Sequence, residues 1–397
     1  MNFDFSEEQL ALRDALTKLL DRSAGFDARK ELVRTGHTHS PRLWRQLAEL
    51  GALGVAIPEA HGGTGGTAVD TMVVCEALGR RLVLEPYLAV AVVGAGLIAH
   101  AGSAAQKAAL LPRLAEGELL LALAHQERDA RYHLAHLGTT ARRDGDGYVL
   151  DGAKHVVLGG NSAHQLIVSA RTSGAADERA GHTLFLVDAD GPGITRRMYR
   201  TQDNLGAADV QLTAVRVPGS AVLGEVGHGL PAVEHALDLG LAALCAEAVG
   251  AMAMMLELTA DYVKTRKQFG VPIGQFQVLQ HRLADMLMRL EQARSMTYLA
   301  ASTLATPSAG ARSAAIADAN QQSDAEVTNR RRILSAAKAK VGQCGRFVGQ
   351  EAIQLHGGIG MTDEAQISHY FKRVTTIDLT FGDADHHVAA VSDAMLG

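Results

Sequence analysis

This chain of 397 residues is short of cysteine: it has only Cys75, Cys245 and Cys344. Three thiols so far apart supply neither a disulfide framework nor a metal-binding spacing, which fits a reducing compartment. A basic excess is missing too. The formal net charge is −5, and the lysines and arginines are scattered. The one basic run, Arg330-Arg331-Arg332, reads as a solvated helix face, so nucleic acid is not expected as a partner. At the N-terminus no basic segment leads into an apolar one, and no signal peptide is read there. The apolar stretch from Leu88 to Ala99 is too short, and too rich in glycine and alanine, to span a bilayer. No internal repeat is evident. The expectation is a soluble, cytoplasmic protein without a membrane partner. Hydrophobic residues make up 47% of the chain, enough for a large core spread over two or three domains.

Three stretches of different character follow one another. Residues 1–120 read as helical. Ser6 and Gln9 form a capping box, and Leu16, Leu19 and Leu20, then Leu43, Leu47 and Leu50, recur at helical spacing. The Gly-rich run from Pro58 to Gly66 has no strand before it, so it reads as a turn and not as a phosphate-binding loop. Ala68 to Arg80 and Tyr87 to Ala101 read as further helices whose small residues permit close packing. From about Glu118 to Gly224 the signals are short strands between turns. Tyr148-Val149-Leu150 lies between Asp-Gly pairs, and Leu166-Ile167-Val168 and Leu184-Phe185-Leu186-Val187 are apolar runs of strand length. Val210/Leu212 and Val215/Val217 alternate with a slip between the pairs, which predicts a bulge. Helical periodicity returns from Gly229, with breaks at Gly270-Pro272, Pro307-Gly310 and Gly357-Gly360. The expected fold is therefore mainly α with a middle β domain. Its parts are an N-terminal helical domain over 1–120, a small β barrel or sandwich over 121–225, and a C-terminal four-helix bundle over 226–397.

The most specific stretch is YVKTRKQFGVPIGQFQVLQHRLADM, from Tyr262 to Met286. A helix ends here with Arg266 in its last turn, where a cation suits the dipole. The chain breaks at Gly270-Val271-Pro272 and restarts on a second helix with Leu279, Leu283, Met286 and Leu290 on one face. A second pattern, Gln354-Leu355-His356-Gly357-Gly358, places two glycines where the lack of a Cβ allows close approach to the backbone.

Together with the opening Met1–Gln9, these motifs resemble the acyl-CoA dehydrogenase family over essentially the whole chain. The resemblance implies FAD as cofactor, acyl-CoA as substrate and an electron-transfer flavoprotein as acceptor. It implies cofactor contacts from Arg266, Gln268, Phe269, Ile273, Phe276, Gln277, Gln354, Leu355, Gly357, Gly358, Asp383 and Asp385. It also implies that a neighbouring subunit completes each FAD site. In such enzymes a carboxylate takes a proton from the carbon next to the thioester carbonyl, and hydride passes from the next carbon to the flavin.

The same resemblance exposes departures. Phe381, in Thr380-Phe381-Gly382-Asp383, stands where the family's usual glutamate base lies. Gly240 stands at the alternative base position, with Leu241 beside it where an arginine often serves CoA. Glu247, two helical turns beyond Gly240, and Asp383 are the carboxylates left to weigh as bases. The family's T-E-P-x-x-G-S-D survives only as Gln126-Glu127-Arg128, and the W-x-T that covers the flavin is Val156-Val157-Leu158. His125, His133 and His136 lack a completing Cys or carboxylate spacing and read as solvent-facing or substrate-side residues, with no metal expected. Within the family the chain is most similar to small subunits of the pimeloyl-CoA dehydrogenase type, which pair with a larger related subunit. That implies a heterotetramer in which the partner supplies the base. A homotetramer with an unusual base and a non-catalytic scaffold remain the alternatives.

Overall fold

The computed structural model describes residues 5–305 and 324–396. The expected break at Pro307-Gly310 and the opening residues Met1 to Asp4 lie outside the described residues. Two compact units emerge. One comprises Met1–Arg29, Thr67–Val83 and Leu241–Gly397; the other comprises Lys30–Gly66 and Leu84–Gly240.

The first unit holds helices α1 (Glu7–Ser23) and α4 (Ala68–Arg80), the larger part of α7 (Leu230–Thr265), and α8 (Gln277–Ala305), α9 (Asp324–His356), α10 (Gln366–Leu379) and α11 (Ala384–Leu396). The α1 start is the expected capping box: Gln9 N donates to Ser6 Oγ at 3.2 Å and Ser6 N to Gln9 Oε1 at 3.0 Å. Thr67 and Asp70 build a second box at α4. Such caps each contribute about 1 kcal/mol. Helix α9 packs against α8, α10 and α11, and α4 against α1 and α8.

Two glycines let α4 and α7 touch backbone to backbone. A Cβ on Gly79 would lie 2.1 Å from the Glu247 carbonyl oxygen, and one on Gly250 would lie 2.0 Å from that of Glu76. No other residue leaves room for this crossing. Helix α7 is the one described helix whose length and composition would let it cross a membrane. However, 78% of its most apolar window is buried within the protein, and it serves as a core helix.

The second unit contains the C-terminal part of α2 (Phe26–Arg34), α3 (Pro41–Glu49), a π-helical turn over Leu88–Gly94 running into α5 (Ala95–Ala101), α6 (Ala104–Ala115) and the β structure. Strands β1 (Leu121–Ala124), β2 (Thr140–Asp144), β3 (Gly147–Leu158), β4 (Gln165–Arg171), β5 (His182–Asp188), β6 (Ile194–Arg200), β7 (Gly206–Pro218) and β8 (Val222–Leu223) form one sheet in the order β6-β7-β3-β2-β4-β5-β8. Strand β1 lies parallel to β4 off this path. Tyr148, Leu150, Leu166, Val168, Phe185, Val187, Val210, Leu212, Val215 and Val217 make its core. The expected slip between Leu212 and Val215 is real. Strand β7 runs through it, with Ala214 at φ 50° and a register shift against β3 between Leu150 and Gly152.

Glu85 is a buried carboxyl of this unit. It accepts from Ser40 N at 3.0 Å, but burial outweighs that bond and raises its pKa from 4.5 to about 7. The folded chain holds this proton more tightly than the unfolded chain. Stability contributed by the neutral acid is therefore complete below pH 4.5 and is lost as pH rises to about 7. Glu85→Gln keeps the acceptor without the charge. It is expected to match the parent near pH 4.5 and to exceed it by up to about 3 kcal/mol above pH 7. Urea unfolding of both proteins across this range checks the sign, and parallel pH curves would refute the assignment.

Candidate functional site

In the first unit the Arg266 segment is a tight hairpin. Helix α7 stops at Thr265, so Arg266 is the first residue beyond it and not part of its last turn; its N–H still reaches Tyr262 O at 2.8 Å. Two-residue strands β9 (Lys267–Gln268) and β10 (Val271–Pro272) pair antiparallel around Phe269 and Gly270, both with positive φ (53° and 84°). A two-residue turn with both centres left-handed matches the twist of its strands, and glycine suits its second position. The turn lifts Phe269 into solvent, 90% exposed, with its ring set edge-on to Phe276 at 6.1 Å. Ile273 starts the short 3₁₀ turn that follows, and Gln277 is the exposed first residue of α8.

The Gln354 segment is the end of α9. Gln354, Gly357 and Gly358 are exposed, whereas Leu355 points into the core and offers only its backbone outward. Gly357 takes φ 64°, and a Cβ on either glycine would meet nothing within 4 Å. Backbone is thus bare there. His356 stacks on Tyr262 with ring centroids 4.4 Å apart, which ties this turn to the end of α7 that carries Arg266. Sequence spacing gave no hint of that stack. The side chains of Arg266, Gln268 and Gln354 have no hydrogen-bond partner among the described residues.

The remaining position of interest lies between α10 and α11. Phe381 adopts φ 59° and Gly382 φ 111°. The phenyl ring packs against Leu241, Ala242, Ala300, Leu334 and Ala337. The loop is shaped through its backbone. Lys338, buried on α9, donates to Asp378 O at 2.8 Å and Gly382 O at 2.7 Å. His387 Nε2 donates to Phe381 O at 3.1 Å, and its Nδ1 accepts from Ser335 Oγ at 3.2 Å. Burial and then the Lys338 charge lower the His387 pKa to about 3, so it stays neutral.

Both candidate carboxylates are otherwise engaged. Asp383 caps α11, accepting from His386 N at 2.9 Å. Glu247 accepts from Arg373 Nε and a terminal guanidinium nitrogen at 2.6 Å each, with side chains 14% and 6% exposed. A carboxylate whose two oxygens are held bidentately by a buried guanidinium is committed to that partner and poorly placed to take a substrate proton. Asp385 lies exposed in the first turn of α11, and Gly240 is buried within α7.

The second unit shows the same redirection of polar groups inward. Glu127 accepts from Gly138 N at 2.6 Å, Thr139 N at 3.0 Å, Thr139 Oγ1 at 2.6 Å and Lys154 Nζ at 2.7 Å. Burial opposes its charge, but Lys154 and Thr139 bring its pKa down to about 2. Burial lowers Lys154 to about 8 against the pull of Glu127, so the pair is ionised at neutral pH. His125 joins the network through Ser169 Oγ at 2.9 Å and Leu134 O at 3.0 Å. Val157 lies in the core, while Val156, at φ 50° on a β3 bulge, is 42% exposed. Val156 N and Tyr199 Oη both donate to Asp209 Oδ1 there, at 3.2 and 3.0 Å.

Unpaired cationic and amide donors, bare glycine backbone and exposed aromatic rings form a surface suited to a pyrophosphate-bearing dinucleotide. The chain's residues around Arg266 and Gln354 thus fit FAD.

The comparisons with known proteins agree. Models of the acyl-CoA dehydrogenase N-terminal, middle and C-terminal domains match residues 6–118, 122–217 and 227–396. The chain is similar to acyl-CoA dehydrogenase FadE12 of Mycobacterium tuberculosis, with 32% identity over 76% of this chain and 78% of the relative. It is similar to mitochondrial isovaleryl-CoA dehydrogenase of Pongo abelii, with 32% identity over 74% and 71%. Among solved structures it matches the Tcur3481-Tcur3483 steroid ACAD with a TM-score of 0.82 and 32% identity over 98% of each chain. The chain belongs to the acyl-CoA dehydrogenase family, FAD flavoproteins that act as oxidoreductases on the CH–CH bond of acyl-CoA.

Proposed function

We propose that this chain is the small subunit of a heteromeric acyl-CoA dehydrogenase. The observation that carries the reading is the phenyl ring of Phe381, seated among Leu241, Ala242, Ala300, Leu334 and Ala337 at the position of the family's base. Residue 381 then offers no carboxylate for the α-proton of an acyl-CoA. Asp383 and Glu247 are used for a helix cap and an ion pair, which also counts against a homomeric enzyme built on either. Arg266, Gln268 and Gln354, with the backbone of Gly357 and Gly358, hold the pyrophosphate and adenine side of the FAD of a larger related subunit. Phe269, Ile273, Phe276 and Gln277 line the approach, and Asp383 and Asp385 face the cofactor from the start of α11. The partner supplies the carboxylate. When bound, FAD supplies the two-electron acceptor for the hydride leaving the β-carbon, and the product is a 2-enoyl-CoA. An electron-transfer flavoprotein receives the electrons. A similar solved structure carries two joined protein names, in keeping with a paired assembly of α2β2 type.

A scaffold that binds no flavin would have no use for unpaired donors beside bare glycines, and this favours the shared site. The test is the FAD content of this polypeptide purified alone and with a coexpressed larger homologue. Little flavin alone and about one FAD per pair supports the proposal. A full complement in the lone chain would establish a homomeric site, and no flavin in either preparation would establish the scaffold.

A further inference from the structure

The second unit brings together three potential ligands that no sequence spacing joins. His133 and His136 share one turn, closed by His136 N donating to His133 O at 3.0 Å. Asp177 comes from the loop between β4 and β5. Its Oδ1 lies 2.6 Å from His136 Nδ1 and 3.7 Å from His133 Nδ1. The three donor atoms all lie within 4.8 Å of one another. His125, the third histidine of the segment, is excluded because both of its ring nitrogens are committed in the core.

The two loops are fastened to each other, so the juxtaposition is built in. Leu137 N donates to Ala176 O at 2.8 Å. Arg171 bridges them, donating to Leu137 O at 3.2 Å and Gly174 O at 2.7 Å. The buried His182 donates through Nε2 to Ala135 O and Glu178 O, each at 3.1 Å. These five hydrogen bonds flank the three side chains. His133 and Asp177 face outward, 61% and 69% exposed, and His136 is half-buried at 26%.

We propose that His133, His136 and Asp177 form a surface site for a divalent transition-metal ion, zinc above all. Two imidazoles and one carboxylate are a set that zinc takes, with Zn–N and Zn–O near 2.0–2.2 Å. Tetrahedral geometry at those lengths spaces donors by about 3.3–3.5 Å. The His133–Asp177 separation must close by a few tenths of an ångström and the His136–Asp177 one must open by less than about 1 Å, within side-chain rotation for exposed groups. Imidazole donors favour zinc, nickel or copper over calcium and magnesium, which want oxygen. Three protein ligands leave one position for water or for an outside ligand. The ion would clamp the 133–137 turn to the β4–β5 loop. The site is remote in chemistry from the flavin reading and does not depend on it.

The test uses the full chain stripped with chelator and titrated calorimetrically with zinc chloride in a non-coordinating buffer. Saturable binding of one zinc per chain is expected, with a zinc-dependent rise in thermal midpoint. Asp177→Asn and His133→Ala change exposed side chains, so both variants should melt like the parent without metal. Each should bind zinc at least about tenfold more weakly and lose the midpoint rise. Cobalt substitution adds a second readout, since ligand-field bands of the parent should vanish in Asp177→Asn. Binding that does not saturate, or that survives unchanged in both variants, would overturn the site and leave His136–Asp177 a surface ion pair.

Discussion

Glu247→Ala is expected to destabilise the chain by about 3–5 kcal/mol, among the largest effects of any single truncation in it. The loss has two sources. The substitution takes from the Arg373 guanidinium, 6% exposed, the carboxylate that meets it through two 2.6 Å bonds. It does so beside the close α4–α7 crossing, where Gly79 lies against the Glu247 backbone. Removing one partner of a buried ion pair costs far more than the pair contributes. Glu247→Gln should recover part of the loss by keeping one acceptor. Urea unfolding monitored by circular dichroism reads both values. If Glu247→Ala instead unfolds like the parent while dehydrogenation disappears, the carboxylate is a base and the structural role assigned to it is wrong.

Arg266→Ala should leave stability within about 0.5 kcal/mol, because the side chain has no partner within the described residues. In the coexpressed pair it should weaken FAD binding by about 10–100-fold, the value of a charge-assisted hydrogen bond to phosphate. Equilibrium dialysis of the pair, followed by flavin fluorescence, measures this directly. Contrast between the two readouts is the point: a residue idle in the lone chain becomes costly to remove only when a partner's cofactor lies on it. Undiminished FAD affinity in the variant would remove the main support for a shared site.

The parts of this molecule that obey local rules were legible. The Ser6–Gln9 box, the α4 span from Ala68 to Arg80, the strands around Tyr148, Leu166 and Leu184, and the bulge between Leu212 and Val215 all follow from caps and periodicity. Strand β6, ITRRMYR, was not legible as a strand of its own: it lies at the end of the sheet order, with no buried face to impose alternation. The π-helical turn at Leu88–Gly94 is a shift of hydrogen-bond register, which side-chain patterns do not report. At the candidate site the motifs named Arg266, Gln354 and Gly358 but not what joins them. The Tyr262–His356 stack, the Lys338 bonds to two carbonyls and the Glu247–Arg373 pair link residues 40 to 126 positions apart. Contacts of that kind are set by helix packing and leave no local trace.

The loop that carries Phe381 is held by bonds to its own carbonyls and by the turn of α10 before it; the phenyl ring makes none of them. A residue of other chemistry at 381 that tolerates the φ of 59° keeps those bonds. A position of this sort can gain or lose a proton-accepting group over generations without the fold being remade around it. Duplicated copies of such a chain are free to drift into a division of labour, one retaining the reactive group and the other only the surface that embraces its twin's cofactor.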